Sequence, residues 1–398
     1  MLRFSVLLSV ALLATLFAAT FISASAVAVS YETATRCLFD KSRRSRSVHA
    51  LPAHRRALFD QLLALAIKRH GASEPRWFDK PELSCAAGQR QDPPNAVGDA
   101  LLFLVQFCPE QDTKLPLELF LDTVTFALTA RTLFAFASDK FVPWGEFLNN
   151  VLPYSVLSEN RDPWRPLFFR YFTGGSRGAA LRNMSSPAAA ASWMNAYAYD
   201  MPPPGQETAP RIEYFECASD GICSYSPFET LRARNASCTG LSIFLVAAQR
   251  SVGLPSRIAG TPHWNLGPKR CPHGDASDDC GDHSWTEVNV GGGWSFQDSD
   301  ATPTLNQSWF VPLWTEHQVP VAPHSTFLNH SIFASSFAPS DFVVSEWGGD
   351  ADPLAQPQPF YPMVWNWTTT APPSVAKISS AWDVTRRYLT FDPKKRRV

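Results

Sequence analysis

Three kinds of side chain in the middle of this sequence could together open an amide bond. Cys238 lies in Asn235-Ala236-Ser237-Cys238-Thr239-Gly240-Leu241-Ser242, and His283 in Asp282-His283-Ser284-Trp285-Thr286-Glu287-Val288. Two carboxylates, Asp298 and Asp300, follow in Trp294-Ser295-Phe296-Gln297-Asp298-Ser299-Asp300. A thiol is a strong nucleophile once ionised, an imidazole can take its proton near neutral pH, and a carboxylate can fix the ring and stabilise its charge. The expected chemistry is attack of Cys238 on a carbonyl carbon through a thioester, with His283 as base and one aspartate as its orienting partner.

Local patterns say how such residues would be held. From Cys238 to Arg250, apolar Leu241, Phe244, Leu245 and Ala248 recur at helical spacing, and Gly253 with Pro255 ends the run. Cys238 therefore opens a helix, where free backbone N–H groups and the helix dipole stabilise a thiolate and could stabilise an oxyanion. Arg257 to Trp264 reads as a strand, His283 to Val290 alternates as a second, and Trp294 to Asp300 returns after Gly291-Gly292-Gly293. With a two-residue turn at Gly291-Gly292, His283 falls opposite Asp300, and Asp298 lies diagonally on the same face. Geometry at this stage does not choose between the two aspartates. A helix followed by an antiparallel sheet predicts an α+β fold.

The motifs also carry a resemblance. Cys238-Thr239-Gly240-Leu241-Ser242, Val252-Gly253-Leu254-Pro255-Ser256-Arg257, His283-Ser284-Trp285-Thr286-Glu287-Val288 and Trp294-Ser295-Phe296-Gln297-Asp298 resemble the core of the transglutaminase-like superfamily over about a quarter of the chain. The resemblance implies a papain-like core of one helix packed on an antiparallel sheet. It implies Cys238 as nucleophile, His283 as base and Asp298, four residues after Trp294, as the acid, with Asp300 in reserve. The family's aspartate commonly precedes proline, whereas Ser299 follows here. Asn149 to Arg165 resembles an element upstream of the core in bacterial-type relatives. The tryptophan that serves the oxyanion in animal transglutaminases has Trp164 and Trp193 as candidates, for both of which packing is the simpler role.

The remainder of the chain is read more coarsely. Arg55 to His70 and Leu115 to Phe136 carry helical patterns, and Phe141 to Phe172 reads as a helix end and an ordered turn. Pro202-Pro203-Pro204-Gly205 interrupts regular structure. The expected organisation is a signal peptide or signal anchor at 1–28, a mainly helical region at 29–205, a catalytic domain at 206–312 and a Pro- and aromatic-rich extension at 313–398.

Net charge is −1, from 35 basic and 36 acidic residues, so no global field exists to hold nucleic acid or an anionic membrane. The basic run Lys394-Lys395-Arg396-Arg397 reads as a solvated tail. An apolar stretch from Phe4 to Ile22, followed by small residues, reads as a secretory signal, with a membrane role only if it stays uncleaved. Sequons at Asn183, Asn235, Asn306, Asn329 and Asn366 suit a secreted glycoprotein. Cys217 with Cys223, Cys271 with Cys280 and Cys85 with Cys108 are candidate disulfides, and a fourth bridge joining Cys37 to Cys238 is the competing, inert reading of the nucleophile. His273, Asp275, Asp278, Asp279 and Asp282 form an acidic loop without calcium-ligand spacing, and zinc on His283, Cys271 and Cys280 competes with oxidation of those thiols. No cofactor is expected. The expected partner is a protein or peptide amide, with an amine or water as acceptor. Two rival functions are an inert binding or structural module and an amidase on glycosylated asparagine, the latter opposed by the signal peptide.

Overall fold

A computed structural model describes residues 48, 50–70, 96–215, 226–266, 281–299, 304–311, 313–321, 330–339, 355–358 and 380–389. They fall into two units that meet at Leu121 and Asp122. The expected signal segment, the acidic loop, Asp300 and six of the cysteines lie outside the described residues. Among the described residues no helix is long and apolar enough to cross a membrane.

In the first unit, α1 (Ala53–His70) packs against α2 (Ala96–Phe107). Leu58, Phe59, Leu62, Leu63, Ala66 and Ile67 form the buried stripe of α1, and α2 is enclosed from Val97 to Val105. Arg55 ties the helices by donating to the carbonyls of Val105 and Cys108, at 2.5 and 2.9 Å. Cys85, the expected partner of Cys108, lies outside the described residues. Cys108 is a free, buried thiol that accepts from Arg55 Nη1 at 3.3 Å and donates to the Val105 carbonyl at 3.7 Å.

The second unit is α+β. Its helices are α3 (Leu117–Leu133, which begins just before the division), α4 (Trp164–Thr173), α5 (Gly175–Arg182), α6 (Pro187–Tyr197), α7 (Pro227–Ala233) and α8 (Cys238–Ser251). A short parallel pair, β1 (Glu213–Tyr214) and β2 (Asn235–Ala236), precedes α8. The main sheet contains β3 (Ser256–Thr261), β4 (His283–Asn289), β5 (Trp294–Gln297), β6 (Phe333–Ser336), β7 (Gln356–Gln358) and β8 (Ser380–Asp383), and α9 (Thr385–Leu389) follows. Its order is β5-β4-β3-β6-β8-β7, with every neighbouring pair antiparallel.

α8 is the central element, buried from Thr239 to Ser251. Leu241, Phe244, Leu245 and Ala248 face a core shared with Phe168 of α4 and Met194 of α6, while Ile243 and Val246 meet Ile258 and Phe333 of the sheet. The division expected at 205/206 therefore runs through a single apolar core. The region after 313 likewise supplies β6, β7 and β8, half the strands of the sheet, and β6 pairs along the side of β3 that would otherwise be an open edge. These strands have three or four residues each, too short to print an alternating pattern in sequence.

The Asn149–Arg165 element is a buried loop clamped by arginines. Arg250, near the end of α8, donates to the carbonyls of Asn150, Ser155 and Ser256 at 2.8 to 3.0 Å. Arg165 donates to those of Val151, Leu152 and Arg250 at 2.7 to 3.0 Å. Glu159 accepts from the amides of Val156 and Leu157, both at 2.7 Å, and Trp164 Nε1 donates to the Tyr154 carbonyl at 2.8 Å. These bonds answer the cost of burying unpaired backbone groups in an irregular segment, and they fix where α8 ends and β3 begins.

Gly253 turns the chain from α8 into β3 at φ 88, and a Cβ placed there would stand 2.6 Å from that of Ala137. Gly253→Ala combines left-handed strain with overpacking and is expected to cost about 2–3 kcal/mol. Urea melts of the purified variant check this.

Candidate active site

Cys238 is placed by what precedes it. Ser226 caps α7 reciprocally with Glu229, and Arg234 closes that helix at φ 61 with its guanidinium bonded to the Met201 carbonyl at 2.6 Å. β2 then pairs with β1, and Ser237 caps α8 by accepting from the Gly240 amide at 3.3 Å. The carbonyl of Ser237 accepts from Leu241 at 2.9 Å, which leaves the Cys238 and Thr239 amides without a partner inside the helix. Cys238 is a free, partly exposed thiol, and Cys37, its expected alternative partner, lies outside the described residues.

His283 is the first residue of β4, and Asp298 is the first beyond β5. The hairpin keeps the register expected of a Gly291-Gly292 turn: Asn289 faces Trp294, Val288 faces Ser295 and Thr286 faces Gln297. That register sets Asp298 across from Trp285 and diagonal to His283 on the same face. His283 Nε2 lies 3.2 and 3.3 Å from the two carboxylate oxygens of Asp298. The Cys238 side chain also acts on the imidazole and favours its protonated form. Asp298 is otherwise held by the Ser299 amide (2.7 Å to Oδ1), by the Ser308 hydroxyl (2.6 Å to Oδ2), and at its own carbonyl by Asn195 Nδ2 (3.2 Å).

Electrostatics follow this geometry. Burial alone would strip His283 of its proton, but Asp298 and the Cys238 sulfur outweigh that and raise its pKa to about 10. Burial would likewise raise Asp298, yet hydrogen bonds and charge from His283, with the Ser308 and Ser299 donors, hold it below the usual carboxylate range. The arrangement sets a buried carboxylate against a buried, protonated imidazole, with the partly exposed Cys238 as the third member.

Beneath His283 on the same strand, Trp285 and Glu287 are locked from both sides. Glu287 accepts from Arg257 Nε (2.8 Å), Arg387 Nη1 (2.7 Å) and the Tyr388 hydroxyl (2.8 Å), while Trp285 Nε1 donates to that hydroxyl at 2.6 Å. Burial opposes the charge on Glu287, but the two arginines keep its pKa lowered. Arg387 and Tyr388 were not foreseen; near a basic tail, nothing in their spacing marks a buried role. Trp309, Phe310 and Trp285 surround the His283 ring at centroid distances of 5.1, 5.5 and 5.8 Å.

The other sequence candidates separate. Trp164 is fully buried with its N–H spent on Tyr154, which removes it from any oxyanion role, and Trp193 lies tilted against Tyr197 with ring centroids 4.8 Å apart. Asp282 precedes His283, and burial raises its pKa against the charges of His283 and His263. Among the described residues no group of three or more His, Cys, Asp or Glu side chains is placed to hold a metal.

Residues 195–299 match the family model of the transglutaminase-like superfamily, so this part of the chain is a transglutaminase-like domain. The match takes in α8 and β3 to β5, and with them Cys238, His283 and Asp298. No curated protein and no solved structure matches the chain.

Two outcomes are expected from this site. At pH 6, iodoacetamide should alkylate Cys238 on the order of tenfold or more faster in the wild type than in His283→Ala, because an ordinary thiol is almost wholly protonated there. Cys108, whose pKa burial pushes up to about 11, should not compete, as peptide mass spectrometry of the non-reduced protein would show. The second outcome concerns stability. The folded pKa of His283, about 10, exceeds its ordinary 6.5, so its contribution is complete below pH 6.5 and fades as pH rises toward 10. Thermal melts over that range should slope downward, and less steeply in His283→Ala.

Proposed function

We propose that this transglutaminase-like domain is a cysteine acyltransferase or amide hydrolase acting on protein or peptide amides. The observation that carries the reading is the imidazole of His283, hydrogen-bonded to Asp298 and acted on by a free, partly exposed Cys238. In the proposed reaction the Cys238 thiolate adds to the amide carbonyl carbon, and the oxyanion is met by the amides at the start of α8. The imidazolium of His283 gives its proton to the departing nitrogen, the C–N bond breaks, and a thioester remains. An amine or a water, deprotonated by the now neutral His283, adds to the thioester and expels the thiolate. An amine acceptor gives a cross-linked or amine-modified product; water gives deamidation or chain cleavage. Asp298 stays ionised throughout and holds the ring.

The proposed setting is the secretory lumen or the extracellular space, in keeping with the apolar amino-terminal stretch and the sequons. Asn183, exposed at the end of α5, is open to a glycan, whereas Asn306 uses both polar atoms of its side chain within the fold.

The test is incubation with glutamine-rich proteins as acyl donors and a fluorescent primary alkylamine as acceptor, read by mass spectrometry for amine incorporation, deamidation and cleavage. One of these products is expected from the wild type and none from Cys238→Ser. If the wild type yields no product with any donor, a binding or structural module replaces the enzyme.

A further inference from the structure

Asn306-Gln307-Ser308 has the pattern of a glycan acceptor, but in the fold the triplet serves the site. Asn306 adopts φ 59, a left-handed conformation that asparagine tolerates better than most residues. Its amide donates to the Phe296 carbonyl at 2.9 Å, its Oδ1 accepts from the Phe296 amide at 2.9 Å, and its Nδ2 donates to Ser295 Oγ at 3.3 Å. One residue thus takes both backbone groups on the free side of β5, two positions before Asp298. From that anchor Ser308 delivers its hydroxyl to Asp298 Oδ2 at 2.6 Å, Trp309 covers the His283 ring, and Phe310 enters the core against Trp285 at a centroid distance of 4.6 Å.

The carboxylate needs such a hold. Its two oxygens stand almost equally far from His283 Nε2, so the imidazole by itself does little to select a rotation about the Cβ–Cγ bond. The Ser299 amide engages Oδ1 and leaves Oδ2 to another donor. We propose that Ser308, carried by Asn306, is a positioning residue of the triad that keeps the Asp298 carboxylate aimed at His283. The inference rests on the triad reading of Cys238, His283 and Asp298. The other titratable groups acting at His283 are Cys238 and Asp282, and substitution at 308 changes neither.

The experiment compares Ser308→Val with Ser308→Thr, nearly equal in shape and different in the hydroxyl, by Cys238 alkylation from pH 5 to 9 and by NMR titration of the His283 ring. Ser308→Val should lower the His283 midpoint and slow alkylation at pH 6 by about three- to tenfold, the scale of one charge-assisted hydrogen bond. Ser308→Thr should keep the wild-type profile. Coincident profiles for Val and Thr overturn the proposal, whether both match the wild type or both depart from it. A wild type whose Cys238 alkylates like an ordinary thiol overturns the triad reading instead, and the two failures are told apart by that control. Should Ser308→Val not fold, Ser308→Ala carries the same comparison.

Discussion

The register of β4 against β5 is the constraint on which this site depends. Side chains alternate along a strand, so a slip of one residue would send His283 and Asp298 to opposite faces. The turn from Val290 to Gly293 sets the register: Val290 donates to the Gly293 carbonyl at 3.1 Å, and Gly291 and Gly293 take φ values of 84 and 131 that other residues resist. Gly291 also lies so close to Phe141 that a Cβ would stand 3.0 Å from its ring. The turn is thus held by its own backbone and by a side chain 150 residues earlier.

A second constraint is the cost of burying charge. Asp298, His283, Glu287, Arg257 and Arg387 are all buried in one unit. Unpaired, each would cost several kcal/mol or lose its charge. They are instead arranged as two separate sets, one around Glu287 and one running from Asp298 to Cys238. In the first set two guanidiniums and a phenol surround one carboxylate, all of them buried away from solvent. The second ends at a sulfur that solvent can reach. That difference is why His283 reads as chemistry and Glu287, four residues along the same strand, reads as structure.

What could be read in the sequence was local. Cys238 at a helix start, the Gly291-Gly292 turn and the alternation from His283 onward are patterns within a few residues, and together they foretell α8, β4 and β5 and put Asp298 and Asp300 both on the face of His283 without choosing between them. The partners that complete the arrangement come from far away. Arg387 and Tyr388 reach Glu287 across about a hundred residues, and Arg165 reaches the end of α8 across 85. Nothing local distinguishes a buried arginine from a solvated one, so these roles were invisible. Ser308 was hidden differently, because its triplet already had a plausible meaning as a glycan acceptor. The spacing of Cys85 and Cys108 suggested a bridge for the same reason that short spacing often does, but it carries no information on where Arg55 and the α2 carbonyls direct the Cys108 thiol.

Water at the imidazole is the quantity that separates the two proposed outcomes. A thioester persists for an amine only if water reaches it slowly, and the His283 ring is flanked by Trp285, Phe310 and Trp309. Trp285 and Phe310 are fixed in the core, whereas Trp309 is half exposed. Of the three, it is the ring whose movement would open the imidazole to solvent. Its backbone follows directly on Ser308, so the same short segment that aims the carboxylate also sets how dry the base is. In the proposed reaction, orientation of the acid and exclusion of water are therefore coupled through four residues, Ser308 and Trp309 acting on the site, Asn306 and Phe310 holding them there.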